Sequence, residues 1–262
     1  MYTTIKYEKS CKAIAHICMD RPDTKNAFNA EMIAELTHAI ETANNDNDVR
    51  IILLAASGNH FSAGADINWM KNMATLSEDE NRMDARNLAI LMRSLFDSKK
   101  VTLAQVQGAA FGGALGLISC CDIAIASQES KYCFSEVKLG LLPAVISPYV
   151  INAIGERAAL NLFLTAEIFD ANHARRLGLI HVVAEPTQLS TQVSKTVNSI
   201  LNNGPSALVK TKQLVRNVSN SGISDKSFHY TIEAIANARV SVEGQEGLQA
   251  FLEKRTPNWQ GI

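Results

Sequence analysis

Two short glycine-containing turns and one isolated acid are the parts of this chain best suited to chemistry. The first turn reads His60-Phe-Ser-Ala-Gly-Ala-Asp66, and the second, Gly108-Ala-Ala-Phe-Gly-Gly113, follows the strand-like segment Val101–Val106. Small residues where buried strands end leave backbone N–H groups open to a ligand. The acid, Glu136, stands in an otherwise apolar stretch. Together these features suit a reaction that builds negative charge on a carbonyl oxygen and moves a proton nearby.

Each feature also has a purely structural interpretation. Gly112 and Gly113 would equally allow close packing of a helix on a sheet, since a glycine cluster alone is weak evidence. Glu136 alone resembles a surface glutamate at a turn. A serine hydrolase is disfavoured because no serine lies in a G-x-S-x-G frame.

The elements around these turns predict a mixed α/β architecture. Residues 2–8 and 11–19 are expected to form paired strands, Asn29 to cap a helix that runs to Asn44, and Val49–Ala56 to form a central strand. Ser77-Glu-Asp-Glu80 is a capping-box pattern that begins a helix through Asp97. Its inward residues are expected to be Met83, Leu88, Leu91, Met92 and Leu95.

The remaining chain predicts a flap and a helical C-terminal part. Residues 66–76 have little periodicity, and their methionines and tryptophan suit either a helical or mobile flap over the acyl pocket or a surface excursion packed on itself. From 188 onwards every segment has a helical pattern, so we expect a core of 1–187 and a helical region of 188–262.

Composition excludes several classes of protein. The 262 residues are 47% hydrophobic and 19% charged, with a formal net charge of −1, which argues against a disordered chain and against general attraction to nucleic acid or membranes. The five cysteines form no C-x-x-C pair, and no cluster has metal-ligand spacing. The first residues lack an apolar signal core, so a cytoplasmic location is expected.

The motifs jointly resemble the enoyl-CoA hydratase/isomerase (crotonase) superfamily. The resemblance is carried, in order along nearly the whole chain, by Arg21–Ala27, Ser62–Asp66, Gly112–Ala114 with Cys121–Ile123, Ser135–Gly140 and Glu243–Arg255. Within the superfamily, Ala110–Asp122 and Pro143–Pro148 look most similar to hydratases of branched glutaconyl-CoA thioesters.

This resemblance implies a fold and a set of roles. The fold would be a spiral of ββα units with a C-terminal helical oligomerisation region. The amides of Ala65 and Gly113 would form an oxyanion hole for the thioester carbonyl, and Glu136 would be the acid/base. The other implied substrate-binding residues are Ala63 (its carbonyl facing the adenine), Gly64, Asp66, Ile67, Lys25, Gly112, Gly116, Lys138, Phe251 and Lys254.

One position departs from the family pattern. Two-glutamate hydratases carry a second glutamate where this chain has Gly116. We expect instead that Gly116 makes room for a distal carboxylate, or another polar group, of the substrate. Lys138 would share a face with Glu136 if the segment is extended, and it either pairs with that acid or is simply solvated.

The expected function is therefore hydration of a branched 2-enoyl-CoA, most simply 3-methylglutaconyl-CoA to 3-hydroxy-3-methylglutaryl-CoA. Isohexenylglutaconyl-CoA hydration, double-bond isomerisation and a non-catalytic RNA-binding role are the alternatives. Coenzyme A is expected as part of the substrate, without a separate cofactor or metal. The expected partners are the acyl-CoA and further copies of the chain, as a trimer or a dimer of trimers, with Phe251 and Lys254 reaching a neighbouring subunit's ligand.

Overall fold

The structure is a computed structural model that describes residues 2–10 and 13–260. It contains two compact units. The first comprises the described residues up to Ser98 together with Thr102–Val193, and the second comprises Lys99–Val101 with the described residues from Ser194 onwards. The mixed α/β elements lie mainly in the first unit, and the second is helical.

Nine strands form two sheets in the described chain. In chain order they are β1 (Ile5–Lys9), β2 (Ile14–Met19), β3 (Ile51–Ala56), β4 (Val101–Val106), β5 (Ala109–Phe111), β6 (Ile123–Ser127), β7 (Lys131–Cys133), β8 (Phe169–Asp170) and β9 (Val182–Ala184). The larger sheet has the order β1-β2-β3-β4-β6-β9, and the smaller has the order β5-β7-β8. The β1–β2 pair is antiparallel, whereas β2–β3, β4–β6, β6–β9 and β5–β7 are parallel.

Eleven helices and three 3₁₀ turns complete the described chain. The helices are α1 (Ala30–Asn45), α2 (Ile67–Met73), α3 (Glu78–Phe96), α4 (Gly113–Cys120), α5 (Ser147–Ile154), α6 (Glu156–Thr165), α7 (Ala171–Leu177), α8 (Leu189–Leu201), α9 (Pro205–Ser221), α10 (Asp225–Val240) and α11 (Val242–Leu252). The 3₁₀ turns are Pro22–Thr24, Glu136–Leu139 and Pro186–Gln188. None of the helices described is long and apolar enough to cross a membrane.

The predicted helix starts are confirmed by their capping contacts. The Asn29 side chain accepts a hydrogen bond from the Met32 amide at 2.9 Å at the start of α1. Ser77 and Glu80 form the complete capping box of α3. On α1 the helical-period residues Met32, Ile33, Leu36, Ile40 and Ala43 are buried, as their spacing predicted.

Residues 67–73 form the regular helix α2, which agrees with the helical form expected for this stretch, and Asp66 caps it. Two details differ from the sequence predictions. On α3 the inward face begins later than predicted, because Met83 is 57% exposed while Leu91, Met92 and Leu95 are buried. Strand β2 begins at Ile14, and the predicted start at 11–12 lies outside the described residues.

Candidate functional site

The first glycine turn is held against the chain at Phe28 by a parallel bridge. The Phe28 amide donates to the Gly64 carbonyl at 2.7 Å, and the Asp66 amide donates to the Phe28 carbonyl at 2.8 Å. In a parallel bridge, the residue that lies between the two bonded ones, here Ala65 between Gly64 and Asp66, directs its own N–H to the other side of its segment. The amide of Ala65 therefore points away from Phe28. Gly64 has a φ of +95° and its Cα faces the Phe111 carbonyl, which leaves no room for a side chain.

A buried asparagine fixes the segment that carries Phe28. Asn26 is fully buried with a φ of +53°, a left-handed conformation that asparagine tolerates well. Its side-chain nitrogen donates to the carbonyls of Ser57 and His60, each at 2.8 Å, and its oxygen accepts from the Arg21 amide at 2.8 Å. Because every polar atom of this amide group is bonded, the Arg21–Ala27 motif is fixed to the turn that begins at Ser57.

The second glycine turn lies directly beside the first. Ser62 and Ala110 form a parallel bridge, in which the Ser62 amide donates to the Ala109 carbonyl and the Phe111 amide donates to the Ser62 carbonyl, each at 3.0 Å. Gly112 has a φ of +54° and a ψ of −123°, a conformation open only to glycine. This turn starts α4 at Gly113, whose N–H belongs to the first helical turn and has no intrahelical acceptor.

The two predicted donor amides, of Ala65 and Gly113, therefore lie on adjacent turns. The Ala65 amide points to the edge of its segment that pairs with β5, and Gly113 follows β5 by two residues. The Phe28 ring lies against Gly113, with Cδ2 and Cε2 each 3.4 Å from the position of a Cβ there. Within residues 2–10 and 13–260, neither amide has a hydrogen-bond acceptor.

Glu136 lies against the same turn. Its Oε1 would be 3.2 Å from a Cβ at Gly112, so the carboxylate occupies the space that this glycine leaves open. Its Oε2 is buried and has no hydrogen-bond partner in the described structure. Burial raises the pKa of Glu136 above the ordinary value of a glutamate, which favours proton exchange nearer neutrality.

Asp66 has a structural role at the end of the first turn. It caps α2 by accepting from the Asn68 amide at 2.8 Å, and it pairs with the Arg21 guanidinium at 2.9 Å. Burial alone would raise the pKa of Asp66, but the hydrogen bonds from Arg21 and from the Asn68 and Trp69 amides outweigh burial and lower it. The capped helix begins with Ile67, which is exposed.

Two of the predicted nucleotide-side residues, Ala63 and Lys25, lie at this turn. The Ala63 amide donates to the Lys25 carbonyl at 2.9 Å, so the two residues are neighbours. The Lys25 side chain is exposed, and its backbone is left-handed with a φ of +54°. Phe251 and Lys254 belong to the second unit, at the end of α11 and just beyond it, and the Phe251 side chain is 82% exposed.

The structure corrects the expectation for Gly116. A Cβ at this position would lie 2.9 Å from the Ile146 Cβ, closer still to its Cγ2, and 3.1 Å from the Met92 Cε. Gly116, Met92 and Ile146 are all buried. The space that we expected to receive a polar end of the substrate is therefore filled with apolar side chains.

The structure distinguishes between the two alternatives for Lys138. The segment forms the 3₁₀ turn Glu136–Leu139 and not an extended strand, so residues two apart do not share a face. Lys138 is exposed, and no ion pair joins it to Glu136 in the described chain. The solvated alternative for this lysine is the correct one.

Sequence reasoning missed several residues that shape the site. These residues, Phe28, Asn26 and Ile146, contact the two glycine turns and α4 through backbone bridges and packing between distant parts of the chain. A further omission, Asp84, contacts α2 and not the site, and it continues the inward stripe of Leu88, Leu91, Met92 and Leu95 at helical spacing. Its carboxylate accepts from the Trp69 indole at 3.3 Å, and burial raises the pKa of Asp84.

Comparison with known proteins assigns the chain to one protein family. Residues 9–261 match the family model of the enoyl-CoA hydratase/isomerase proteins, and the chain is a member of that family. It is similar to the crystal structure of an enoyl-CoA hydratase from Shewanella pealeana, with 44% identity, a TM-score of 0.94 and coverage of 98% of this chain and 96% of that one.

Two curated relatives are also similar over almost their full lengths. A crotonyl-CoA hydratase from Syntrophomonas wolfei is 31% identical, with 98% of each chain covered. A short-chain-enoyl-CoA hydratase from Clostridium acetobutylicum is 30% identical, with 92% of each chain covered. The predicted crotonase fold is confirmed by these comparisons and by the element order.

Proposed function

We propose that this protein adds water across the C2–C3 double bond of a 2-enoyl-CoA thioester. The proposal depends on one arrangement. The amides of Ala65 and Gly113 lie on neighbouring turns and have no acceptors in the described chain, and the Glu136 carboxylate, with its buried Oε2, lies against the same turn as Gly113. Coenzyme A enters as part of the substrate and no separate cofactor is needed. Membership of the enoyl-CoA hydratase/isomerase family supports this reaction class.

The reaction follows from the groups at the site. The two amides bind the thioester oxygen, and Glu136 accepts a proton from water as the water oxygen bonds to C3. The electron pair of the double bond moves to the thioester oxygen, and the resulting enolate is stabilised by the two amides. Glu136 then returns the proton to C2, so a single acid completes the cycle. Each donor of this kind contributes about 3–4 kcal/mol by deletion, and a positioned acid/base adds about 10²–10⁴-fold.

For the acyl group we favour a branched chain, with 3-methylglutaconyl-CoA as the first candidate and isohexenylglutaconyl-CoA as the second. The support is the motif similarity at Ala110–Asp122 and Pro143–Pro148. The packing of Ile146 on Gly116 removes the place proposed for a distal carboxylate, so that group must bind elsewhere if the substrate carries one. Crotonyl-CoA, the substrate in the name of one relative, is the unbranched comparison.

Isomerisation of a 3-enoyl-CoA is a second candidate, and one observation favours it. With no room for a second acid at Gly116, Glu136 is the acid next to the glycine turn, and one carboxylate is enough to carry a proton between C2 and C4. Product analysis separates the two reactions, because hydration incorporates ¹⁸O from labelled water whereas isomerisation does not.

The test is a kinetic comparison of wild type and Glu136→Gln. We expect hydration of one of the three enoyl-CoA substrates, lowered by about 10²–10⁴-fold in the variant because the neutral amide cannot accept a proton. Glu129→Gln is a matched control, since Glu129 is an exposed glutamate of the same region. Equal activity of Glu136→Gln and wild type would overturn the proposal. Equal kcat/KM for methylglutaconyl-CoA and crotonyl-CoA would remove the branched preference.

We also propose that the chain forms a homo-oligomer, as a trimer or a dimer of trimers, in the cytoplasm. The support is the set of large apolar side chains exposed on α10 and α11, among them Phe228, Val240, Val242, Phe251 and Leu252. Monomers rarely leave so many apolar side chains in water. Light scattering coupled to size-exclusion chromatography gives the mass directly, and a concentration-independent mass of 28.5 kDa would contradict the proposal.

A further inference from the structure

Phe28 contacts both halves of the proposed oxyanion hole, and it does so with different parts of the same residue. Its backbone forms the bridge on either side of Ala65, with hydrogen bonds of 2.7 and 2.8 Å. Its ring faces Gly113, with Cδ2 and Cε2 each 3.4 Å from the position that a Cβ at Gly113 would occupy. The residue is 2% exposed, so the ring is enclosed by packing and does not move freely into solvent.

We infer that Phe28 is a positioning residue that sets the distance and relative direction of the Ala65 and Gly113 amides. The inference rests on the proposed function, because it assumes that these amides bind the thioester oxygen. Phe28 itself would not touch the reacting atoms. It would act through the two glycine turns, which are otherwise connected at the Ser62–Ala110 bridge.

The geometry explains why a ring is suited to this position. Gly113, the first residue of α4, has no side chain of its own, and the Phe28 ring lies on the side where its Cβ would stand. The bridge at Ala65 is made by main-chain atoms and persists with any side chain at 28. Removing the ring therefore changes the support of one donor and leaves the other in place.

A misplaced donor should lower the rate of the chemical step more than it weakens binding. Displacement of a group by about 1 Å costs roughly 10²-fold in rate, whereas binding of the large CoA moiety does not depend on the hole. We expect Phe28→Ala to lower kcat by about 10–100-fold with KM changed by less than about 3-fold. Phe28→Leu keeps apolar bulk against Gly113 and should retain kcat within about 3-fold.

The decisive measurement is the carbonyl stretch of a bound enoyl-CoA labelled with ¹³C at C1, recorded by difference infrared spectroscopy. Hydrogen bonds from the two amides lower this frequency. We expect a clear downshift in wild type and Phe28→Leu and a smaller one in Phe28→Ala. Leu36→Ala is the control, because Leu36 is a fully buried apolar residue of α1 whose loss also leaves a cavity. It should keep the wild-type downshift.

The outcomes separate this inference from the proposed function. If wild type binds the thioester with no downshift, the oxyanion hole itself is wrong. If wild type shows the downshift and Phe28→Ala keeps both the downshift and kcat, the hole is correct and the positioning role of Phe28 is overturned. If Leu36→Ala loses the downshift as Phe28→Ala does, the effect reflects general destabilisation, and the inference is likewise overturned.

Discussion

Ile146 fills the space that a side chain at Gly116 would need. A Cβ there would lie 2.9 Å from the Ile146 Cβ, a distance that real Cβ atoms essentially never show. The two residues come from different elements, since Gly116 lies within α4 and Ile146 precedes α5. Their contact closes the inner face of α4 one turn beyond the proposed donor at Gly113.

We predict that Gly116→Ala destabilises the protein although alanine is the better helix former. The propensity gain is about 1 kcal/mol, while overpacking a filled core costs about 1–3 kcal/mol. Ile146→Ala alone should cost about 2–5 kcal/mol by leaving a cavity. The double variant should cost less than the sum, because each change relieves the other. Urea unfolding of all four proteins measures this coupling, and strictly additive values would contradict the contact.

The pKa of Glu136 predicts a cost to stability. Since folding raises this pKa, ionisation of Glu136 opposes folding at pH values above the folded pKa. This destabilisation decreases as pH falls and is absent below the ordinary glutamate pKa of about 4.3. Glu136→Gln stays neutral, so it should raise Tm at pH 8 and have no such effect near pH 4. A Tm gain of the same size at both pH values would show that ionisation is not the cause.

Two substitutions at Asp66 separate the contribution of its charge to stability from that of its helix cap. Asp66→Asn keeps an oxygen for the Asn68 amide but removes the charge that faces Arg21, and should cost about 1–3 kcal/mol at pH 7. Asp66→Ala also loses the cap, which adds about 0.5–2 kcal/mol.

The pH dependence of Asp66→Asn has a definite sign. Because the folded state lowers the pKa of Asp66, its contribution to stability is present above about pH 4 and is lost as pH falls through the lower folded pKa. The gap between wild type and Asp66→Asn should therefore narrow in acid, as followed by urea unfolding at pH 7 and pH 3. Asp170→Asn removes the charge of an exposed cap whose pKa is lowered by the His173 amide, so it should show the same narrowing on a smaller scale.

Asn26 should be among the least replaceable residues of the first unit. Asn26→Ala leaves the carbonyls of Ser57 and His60 without their side-chain donor and adds the strain of a left-handed alanine, so we expect a loss of about 3 kcal/mol or more. Asn26→Gly loses the same hydrogen bonds without the strain. Chemical denaturation of both gives the strain as their difference, and equal values would mean that the backbone contributes nothing.

Local signals predicted most of the fold. Helix caps at Asn29 and Ser77 and the apolar period of α1 depend on residues within one or two turns of each other, and these elements are as predicted. The outline of the site was predicted for a different reason, from the resemblance of several motifs to one family, since the glycines and Glu136 taken singly are weak evidence. Whether their side chains and amides catalyse the proposed reaction stays a prediction until the kinetics are measured.

The sequence could not predict contacts between distant segments. The partner of Gly116 is 30 positions away at Ile146, and nothing near either residue indicates the other. The local backbone at Lys138 was not predictable either, because the chain forms a 3₁₀ turn from Glu136 where the pairing alternative assumed an extended strand. Asp84 was the avoidable omission, since its helical spacing from Leu88 was visible in the sequence.

The donors at Ala65 and Gly113 are main-chain atoms, and this has a practical consequence for mutagenesis. An alanine scan would pass over both, because exchanging a side chain leaves the peptide N–H intact. Replacing a single amide by an ester, through semisynthesis with an α-hydroxy acid at position 65 or 113, removes one hydrogen-bond donor and almost nothing else. Under the proposed mechanism, side chains around the acyl group can diverge while the two peptide N–H groups stay constant.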